Sequence, residues 1–366
     1  MESVFYIGIM SGTSLDGVDA VLADFQDTSP ALLQTFFLPY DNALKKELLA
    51  LHQPGNDELH RAAILANQLS HYYAQAVTGL LKGAGVNFKR IAAIGCHGQT
   101  IRHCPEKAKG YTIQLVNSAL LAELTGISVV SDFRSRDIAA GGQGAPLVPA
   151  FHQAVFMHTS HPRVIVNIGG IANITRLNSR LPVMGFDSGP GNLLMDAWCS
   201  RHTGRHYDDN GYWAASGCVI STLLDALLAD SYFERKPPKS TGREWFNLEW
   251  LEQKISGNEP LEDVQATLLE LTVRSIAAAI VDYCPDTEEI YVCGGGAHNA
   301  ALMRRLAGQL PDRRIEMTDS LGVAADWVEA FAFAWLARRT LLRETGNLAA
   351  VTGASGDRIL GAIYPA

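Results

Sequence analysis

The stretch Tyr6-Ile7-Gly8-Ile9-Met10-Ser11-Gly12-Thr13-Ser14-Leu15-Asp16-Gly17-Val18-Asp19-Ala20-Val21 constrains this chain more than any other. An apolar run, Val4 to Ile9, enters a turn rich in Gly, Ser, Thr and Asp, and a second run, Val18 to Leu22, leaves it. That pattern reads as strand, tight hairpin, strand. Gly8, Gly12 and Gly17 let backbone N–H groups approach an anion closely, and the Ser and Thr hydroxyls add donors. No Gly-Lys-Ser/Thr follows and no helix pattern opens there, which excludes a Walker loop. A dinucleotide fingerprint needs strand, turn and helix, so it is excluded on the same ground. Taken alone, the hairpin also reads as a plain turn.

Two later stretches change that reading. Val164-Ile165-Val166-Asn167-Ile168-Gly169-Gly170-Ile171-Ala172-Asn173-Ile174-Thr175 repeats the plan of strand, glycine turn and strand. Glu289-Ile290-Tyr291-Val292-Cys293-Gly294-Gly295-Gly296-Ala297-His298-Asn299 is a strand end running into glycines, followed by a helix pattern. This layout resembles the actin, sugar-kinase and heat-shock ATPase superfamily, in which two hairpins hold the phosphates and a third turn meets the adenosine. Met10–Asp19, Asn167–Asn173 and Asp187-Ser188-Gly189-Pro190-Gly191-Asn192 together resemble the anhydro-N-acetylmuramic acid kinases, a family of bacterial cell-wall recycling enzymes. The resemblance runs over essentially the whole chain. It implies an α/β, two-domain actin-like ATPase (ribonuclease H-like) fold with an active-site cleft between the domains.

A chain of 366 residues is long for one core and fits two domains. We expect an N-terminal actin-like domain over 1–130, with room for part of the C-terminal tail to pack on it, and a C-terminal one over 131–366. With 47% hydrophobic and 19% charged residues the chain is globular. A net charge of −8, with only short and scattered Arg pairs, argues against nucleic acid as a partner. The six cysteines show no C-x-x-C or paired zinc spacing, and several sit in apolar runs, as buried free thiols do. No basic segment followed by an apolar core opens the chain, and no window approaches ~18 uninterrupted apolar residues, so no leader and no membrane span are expected. A cytoplasmic protein is the expectation.

Several side chains then stand out. Cys96-His97-Gly98-Gln99-Thr100 reads as a loop at the C-terminal end of the buried strand Ile91–Gly95, the end where open α/β sheets bind ligands. His97 there is either structural or functional. Asp132-Phe133-Arg134-Ser135-Arg136-Asp137 suggests a shaped loop rather than a helix. An arginine in it can grip a carboxylate bidentately, or join an Asp–Arg network that stiffens the loop; Arg134 and Arg136 are both candidates. Asp187 ends a short strand before Gly-Pro-Gly and a helix, and from the residue alone a helix cap is the plainer reading. His202 and His206 have the H-x-x-x-H spacing of two metal ligands, but Gly204 lies between them where the helix pattern has ended. Lys236–Glu244 is an irregular Pro/Gly loop, on the surface or at an active-site mouth. Glu329 interrupts an apolar helix over Val323–Trp335, so it either pairs with an Arg or faces a cleft, since a lone buried carboxylate is costly.

The family resemblance assigns these residues roles. It makes Asp187 the general base. Gly12, Thr13, Ser14, Leu15, Asp16, Gly17, Val18, Asp19, Asn167, Gly169, Gly170, Asn173, Gly294, Gly295, Gly296 and Asn299 are expected around ATP and its phosphates. Ser11, His97, Arg134, Gly189 and Glu329 are expected around the sugar, whose lactyl carboxylate suits an Arg. Phosphoryl transfer needs Mg²⁺ held largely by phosphate oxygens, with Asp16 and Asp19 as the protein groups nearest it. As plain residues those two are turn carboxylates. A homodimer is also implied. Three other readings are a kinase for an ordinary free amino sugar, an actin-like ATPase clamp without a sugar, and a metal-dependent carbamoyltransferase on the same fold. The last requires a helical H-x-x-x-H.

Overall fold

A computed structural model of the protein describes residues 5–12, 14–27, 30–105 and 109–366. Thr13 therefore lies outside the described residues. The strands, in chain order, are β1 Phe5–Ser11, β2 Gly17–Asp24, β3 Ala31–Pro39, β4 Ile91–Cys104, β5 Tyr111–Leu115, β6 Val129–Ser131, β7 Arg163–Ile168, β8 Ile171–Leu177, β9 Met184–Pro190, β10 Glu289–Cys293, β11 Arg314–Met317 and β12 Ala362–Tyr364. They belong to two compact units. One comprises the chain up to Val155 together with Trp327–Ala366; the other is Phe156–Asp326.

In the first unit the sheet order is β12-β6-β4-β1-β2-β3, with β5 on the far end of β4. β1, β2 and β3 form an antiparallel meander, and β4 and β6 add in parallel beside β1. The helix Glu58–Ala84 packs against β2 and β3 and is closed by Gly85 in the left-handed region at φ 64°. The helix Val328–Leu341 lies on β1 and β4 at backbone contact. A Cβ on Gly8 would stand 1.8 Å from the Ala330 carbonyl oxygen, and one on Gly95 2.0 Å from that of Phe333. Gly8 and Gly95 are register partners, so the pair opens one seat for the helix. Burial on every side explains why that helix is apolar nearly all round.

That seat also explains the division of the chain. The expected boundary at 130 falls inside β6; in the structure this unit continues to Val155 and also contains Trp327–Ala366.

The second unit repeats the plan. Its order is β11-β10-β7-β8-β9, with β7, β8 and β9 antiparallel and β10 and β11 parallel to β7. A three-strand meander followed by two parallel strands, present twice, is the ribonuclease H-like order of an actin-like ATPase. The helix Leu261–Tyr283 is by length and composition apolar enough to cross a membrane, yet most of it is buried inside this unit as its core helix.

Three local expectations differ from the structure. Cys96–Thr100 is not a loop: β4 runs on through it, with a register irregularity and Gly98 at φ 76°. Ser135–Ala139 is a short helix rather than an irregular loop. The last long helix starts at Val328, after a short 3-10 turn at Ala325–Trp327.

Candidate active site

In the second unit one sheet row carries the polar side chains. Cys293 of β10 pairs with Asn167 of β7, Asn167 with Asn173 of β8, and Asn173 with Asp187 of β9. Residues paired in register present their side chains to the same face, so Asn167, Asn173 and Asp187 form a polar line across three strands. The β8–β9 register shifts there: Ala172 faces Gly189 and Asn173 faces Asp187, which leaves Ser188 as an extra residue. Such bulges re-aim the neighbouring side chain. Ser188 Oγ fixes this one by donating to the Ala172 carbonyl at 3.1 Å.

Asp187 thus sits within a strand, not at a turn, and it caps no helix; Asn192 precedes the helix Leu193–Thr203. Its carboxylate Oδ2 accepts the Thr241 amide at 2.9 Å, its amide donates to Lys239 O at 3.1 Å, and its carbonyl accepts the Tyr232 hydroxyl at 2.8 Å. Burial pushes its carboxyl up to about 7; the Thr241 amide opposes this, Glu244 adds to it, and Lys239 opposes it. A carboxyl so tuned is matched to proton transfer near neutral pH.

The glycine motifs of this unit interlock beside that row. Asn192 N–H donates to Gly169 O at 2.8 Å and Gly191 N–H to Gly170 O at 2.9 Å, tying the turn after β9 to the second hairpin. A Cβ on Gly191 would meet Gly169 O at 2.3 Å. Gly294, at φ 78°, passes so close to β7 that a Cβ would meet Asn167 Oδ1 at 2.3 Å. Asn299 caps the helix Ala300–Gln309, accepting the Leu302 amide at 3.0 Å. Thr272 of the core helix donates to Gly191 O at 2.9 Å and holds the turn from below. Gly189 is hemmed in by Phe233, whose ring carbon a Cβ would meet at 2.8 Å.

In the first unit the hairpin loop between β1 and β2 is closed by the Leu15 amide on Gly12 O at 3.2 Å. Leu15 adopts φ 61° with its side chain buried, while Ser14 and Asp16 are exposed and Asp19 is partly buried on β2. Gln99, wholly buried in β4, donates to Gly12 O at 3.1 Å, and buried Ser11 shares a hydrogen with the Tyr73 hydroxyl at 3.0 Å.

His97 lies on the same strand, against the Phe333 ring at 4.7 Å between centroids. Arg134 donates to its Nε2 and, through Nη1, to the Gly144 carbonyl at 2.7 Å. Burial and the guanidinium hold the His97 ring well below the usual histidine range. Burial brings Arg134 down to about 10 against the opposing fields of Glu329 and Asp137. The Glu329 charge thus favours the charged form of Arg134. Arg136 is exposed, so the structure separates the two arginines. Asp137, wholly buried, accepts from Gly144 N at 2.7 Å, Thr352 Oγ1 at 2.7 Å and Asn347 Nδ2 at 2.5 Å.

The histidine pair has no helix face in common. His202 stacks on Trp198 at 4.0 Å, and the helix ends at Thr203 with Gly204 at φ 74°. Among the described residues no group of three or more His, Cys, Asp or Glu side chains is placed to hold a metal.

The family model for anhydro-N-acetylmuramic acid kinase matches residues 4–366. The chain belongs to the anhydro-N-acetylmuramic acid kinase family. Curated relatives of that name include proteins from Nitrosomonas europaea, 62% identical over 363 residues with 99% of this chain and 100% of the relative covered, and from Thiobacillus denitrificans, 58% identical over 369 residues with 100% and 98% covered. One from Pseudomonas paraeruginosa is 54% identical over 363 residues, with 99% of each chain covered.

Within this family member, the structure gathers Asn167, Gly169, Gly170, Asn173, Asp187, Gly189 and Gly294–Gly296 in the second unit. It gathers Ser11, Gly12, Leu15, His97, Arg134 and Glu329 in the first. Sequence reasoning gave Gln99 no role and read Lys236–Glu244 only as a loop on the surface or at an active-site mouth. Gln99 was visible as a polar residue in an apolar strand context. The run Lys236-Pro237-Pro238-Lys239 signalled a rigid loop but nothing of what it grips.

Proposed function

We propose that this kinase hydrolytically opens 1,6-anhydro-N-acetylmuramic acid and phosphorylates O6, giving N-acetylmuramic acid 6-phosphate and ADP. The observation that carries this reading is Asp187: a carboxyl tuned to about 7 and gripped by the Thr241 amide, at the end of a polar row leading to the glycine turns. Asp187 takes a proton from water, the water oxygen bonds to the anomeric carbon, and the bond from that carbon to O6 breaks. O6 then receives the γ-phosphoryl group. The scheme balances as sugar, ATP and water in, phosphosugar and ADP out.

The remaining roles follow the same reading. Gly12, Thr13, Ser14, Leu15, Asp16, Gly17, Val18 and Asp19 in the first unit, and Asn167, Gly169, Gly170, Asn173, Gly294, Gly295, Gly296 and Asn299 in the second, serve ATP. Ser11, His97, Arg134, Gly189 and Glu329 serve the sugar, with Arg134 on its carboxylate. The donor set suits magnesium bound mainly by phosphate and water: Asp16 is exposed on the first loop, and Asp19 stands partly buried nearby on β2. Bound there, the ion would neutralise charge on the transferring phosphoryl group. The family resemblance further supports a cytoplasmic homodimer acting in peptidoglycan recycling.

Turnover on 1,6-anhydro-N-acetylmuramic acid with ATP in ¹⁸O-labelled water tests the reading. Label on the anomeric hydroxyl and none in phosphate is the expected result. Label in free phosphate with intact sugar would mean an ATPase. Turnover only on an ordinary free amino sugar would sink the substrate and leave a kinase.

A further inference from the structure

The loop that grips Asp187 does more than close the surface. Its segment Lys239–Thr241 runs beside β9, accepting the Asp187 amide at Lys239 O and donating the Thr241 amide to Asp187 Oδ2, at 3.1 and 2.9 Å. Lys239 is 9% exposed, an unusual depth for an ammonium group. Its Nζ donates to the Tyr232 carbonyl at 3.4 Å and stands 4.6 Å from the centre of the Tyr232 ring. The same tyrosine donates its hydroxyl to the Asp187 carbonyl at 2.8 Å. Lysine and aspartate thus meet the same tyrosine, the aspartate through its backbone carbonyl, and without a direct ion pair the Lys239 charge favours the ionised Asp187 carboxylate.

We propose that Lys239 is a positioning residue for the Asp187 base: its ammonium, anchored on Tyr232, is the counter-charge that favours the ionised carboxylate, while the Lys239–Thr241 backbone aims it. The inference rests on Asp187 being the base. The other groups facing Asp187 are consistent with this assignment. Glu244, on the same loop, opposes ionisation. Tyr232 stays a neutral phenol, its hydroxyl held by burial and by the Asp187 charge far from ionising. Arg235 leans on the Trp245 ring at 4.3 Å, and β8 offers only neutral Asn173. Among these groups Lys239 is the cation whose charge favours the ionised Asp187.

The test is the pH profile of kcat/KM for the full-length enzyme and its K239M, K239R and D187N variants. With the counter-charge gone, K239M should move the acidic limb to higher pH by about one unit, so that the rate at a fixed pH on that limb falls roughly tenfold. K239R should return the limb close to its native position. A K239M limb superimposed on the native one, with D187N inactive, overturns the inference and leaves the base assigned. An active D187N overturns both. If circular dichroism shows K239M unfolded, K239Q, which keeps a donor for the Tyr232 carbonyl without the charge, decides by the same criterion.

Discussion

Arg134 directs two donors at one nitrogen: its Nε and Nη2 stand 3.1 and 2.9 Å from His97 Nε2. That nitrogen must then carry the lone pair, so the ring proton is on Nδ1 and His97 is neutral. An arginine seated this way is oriented before any ligand arrives, with Glu329 and Asp137 supplying opposing charge.

The Arg134→Lys variant keeps the charge and loses the planar fork. Losing a charged hydrogen bond of about 1.5–3 kcal/mol should lower kcat/KM for the sugar roughly ten- to a hundredfold, through KM rather than kcat. Steady-state kinetics over sugar concentration checks this. An unchanged KM would remove Arg134 from the sugar site.

As the base we propose, Asp187 should set the acidic limb of the rate profile. The base form is the deprotonated one and its carboxyl lies at about 7, so kcat/KM should rise with pH through that value and level off above it. His97 contributes no limb nearby, because it stays neutral there. The D187N variant should retain ATP and sugar binding by calorimetry while turnover falls by about 10²–10⁴-fold. Near-native turnover in D187N would displace it as the base.

Much of this was legible in sequence, and the limits have physical causes. The two glycine hairpins and the third turn are local features, so their strands could be read from apolar runs and turn residues. A helix was legible over Val323–Trp335, where the structure has Val328–Leu341, but the surface that seats it was not. The Gly8–Gly95 register pair, 87 residues apart in sequence, forms that seat in the first unit. His97 was placed on a loop because Gly98 and polar neighbours mimic a strand end, whereas the strand bends there and continues. The clasp of Asp187 by Lys239 and Thr241 is a long-range pairing of a loop with a strand, and no periodicity announces it.

The Gly191 turn offers a test of the interlocked glycine motifs. A methyl group there meets the Gly169 carbonyl oxygen at 2.3 Å, and both partners are backbone, so neither can swing aside. Gly191→Ala should cost about 1–3 kcal/mol of stability, in the range of other overpacking substitutions. It should also weaken ATP binding if the second hairpin holds phosphate. Urea denaturation and nucleotide titration measure the two effects separately, and a fully stable G191A would show that the turn yields more than its contacts suggest.

Acid sensitivity should come from buried histidines. Burial brings His152 down to about 3, and it holds His97 well below the usual range. The unfolded chain takes up these protons near 6.5 and the folded chain does not. The associated stability is therefore full above that pH and is lost as pH falls toward the folded values. Asp187 works in the opposite direction, because its raised carboxyl holds a proton that the unfolded chain has released between about 4 and about 7. Two buried histidines against one aspartate leave a net loss of stability on acidification. Unfolding free energies between pH 6.5 and 4 should fall with a slope set by net proton uptake, about 1.4 kcal/mol per pH unit for each proton. His152→Gln removes one titrating group from that set, so its slope should be shallower by about one proton. Equal slopes in the two proteins would mean that His152 titrates in the folded state as it does in the unfolded one.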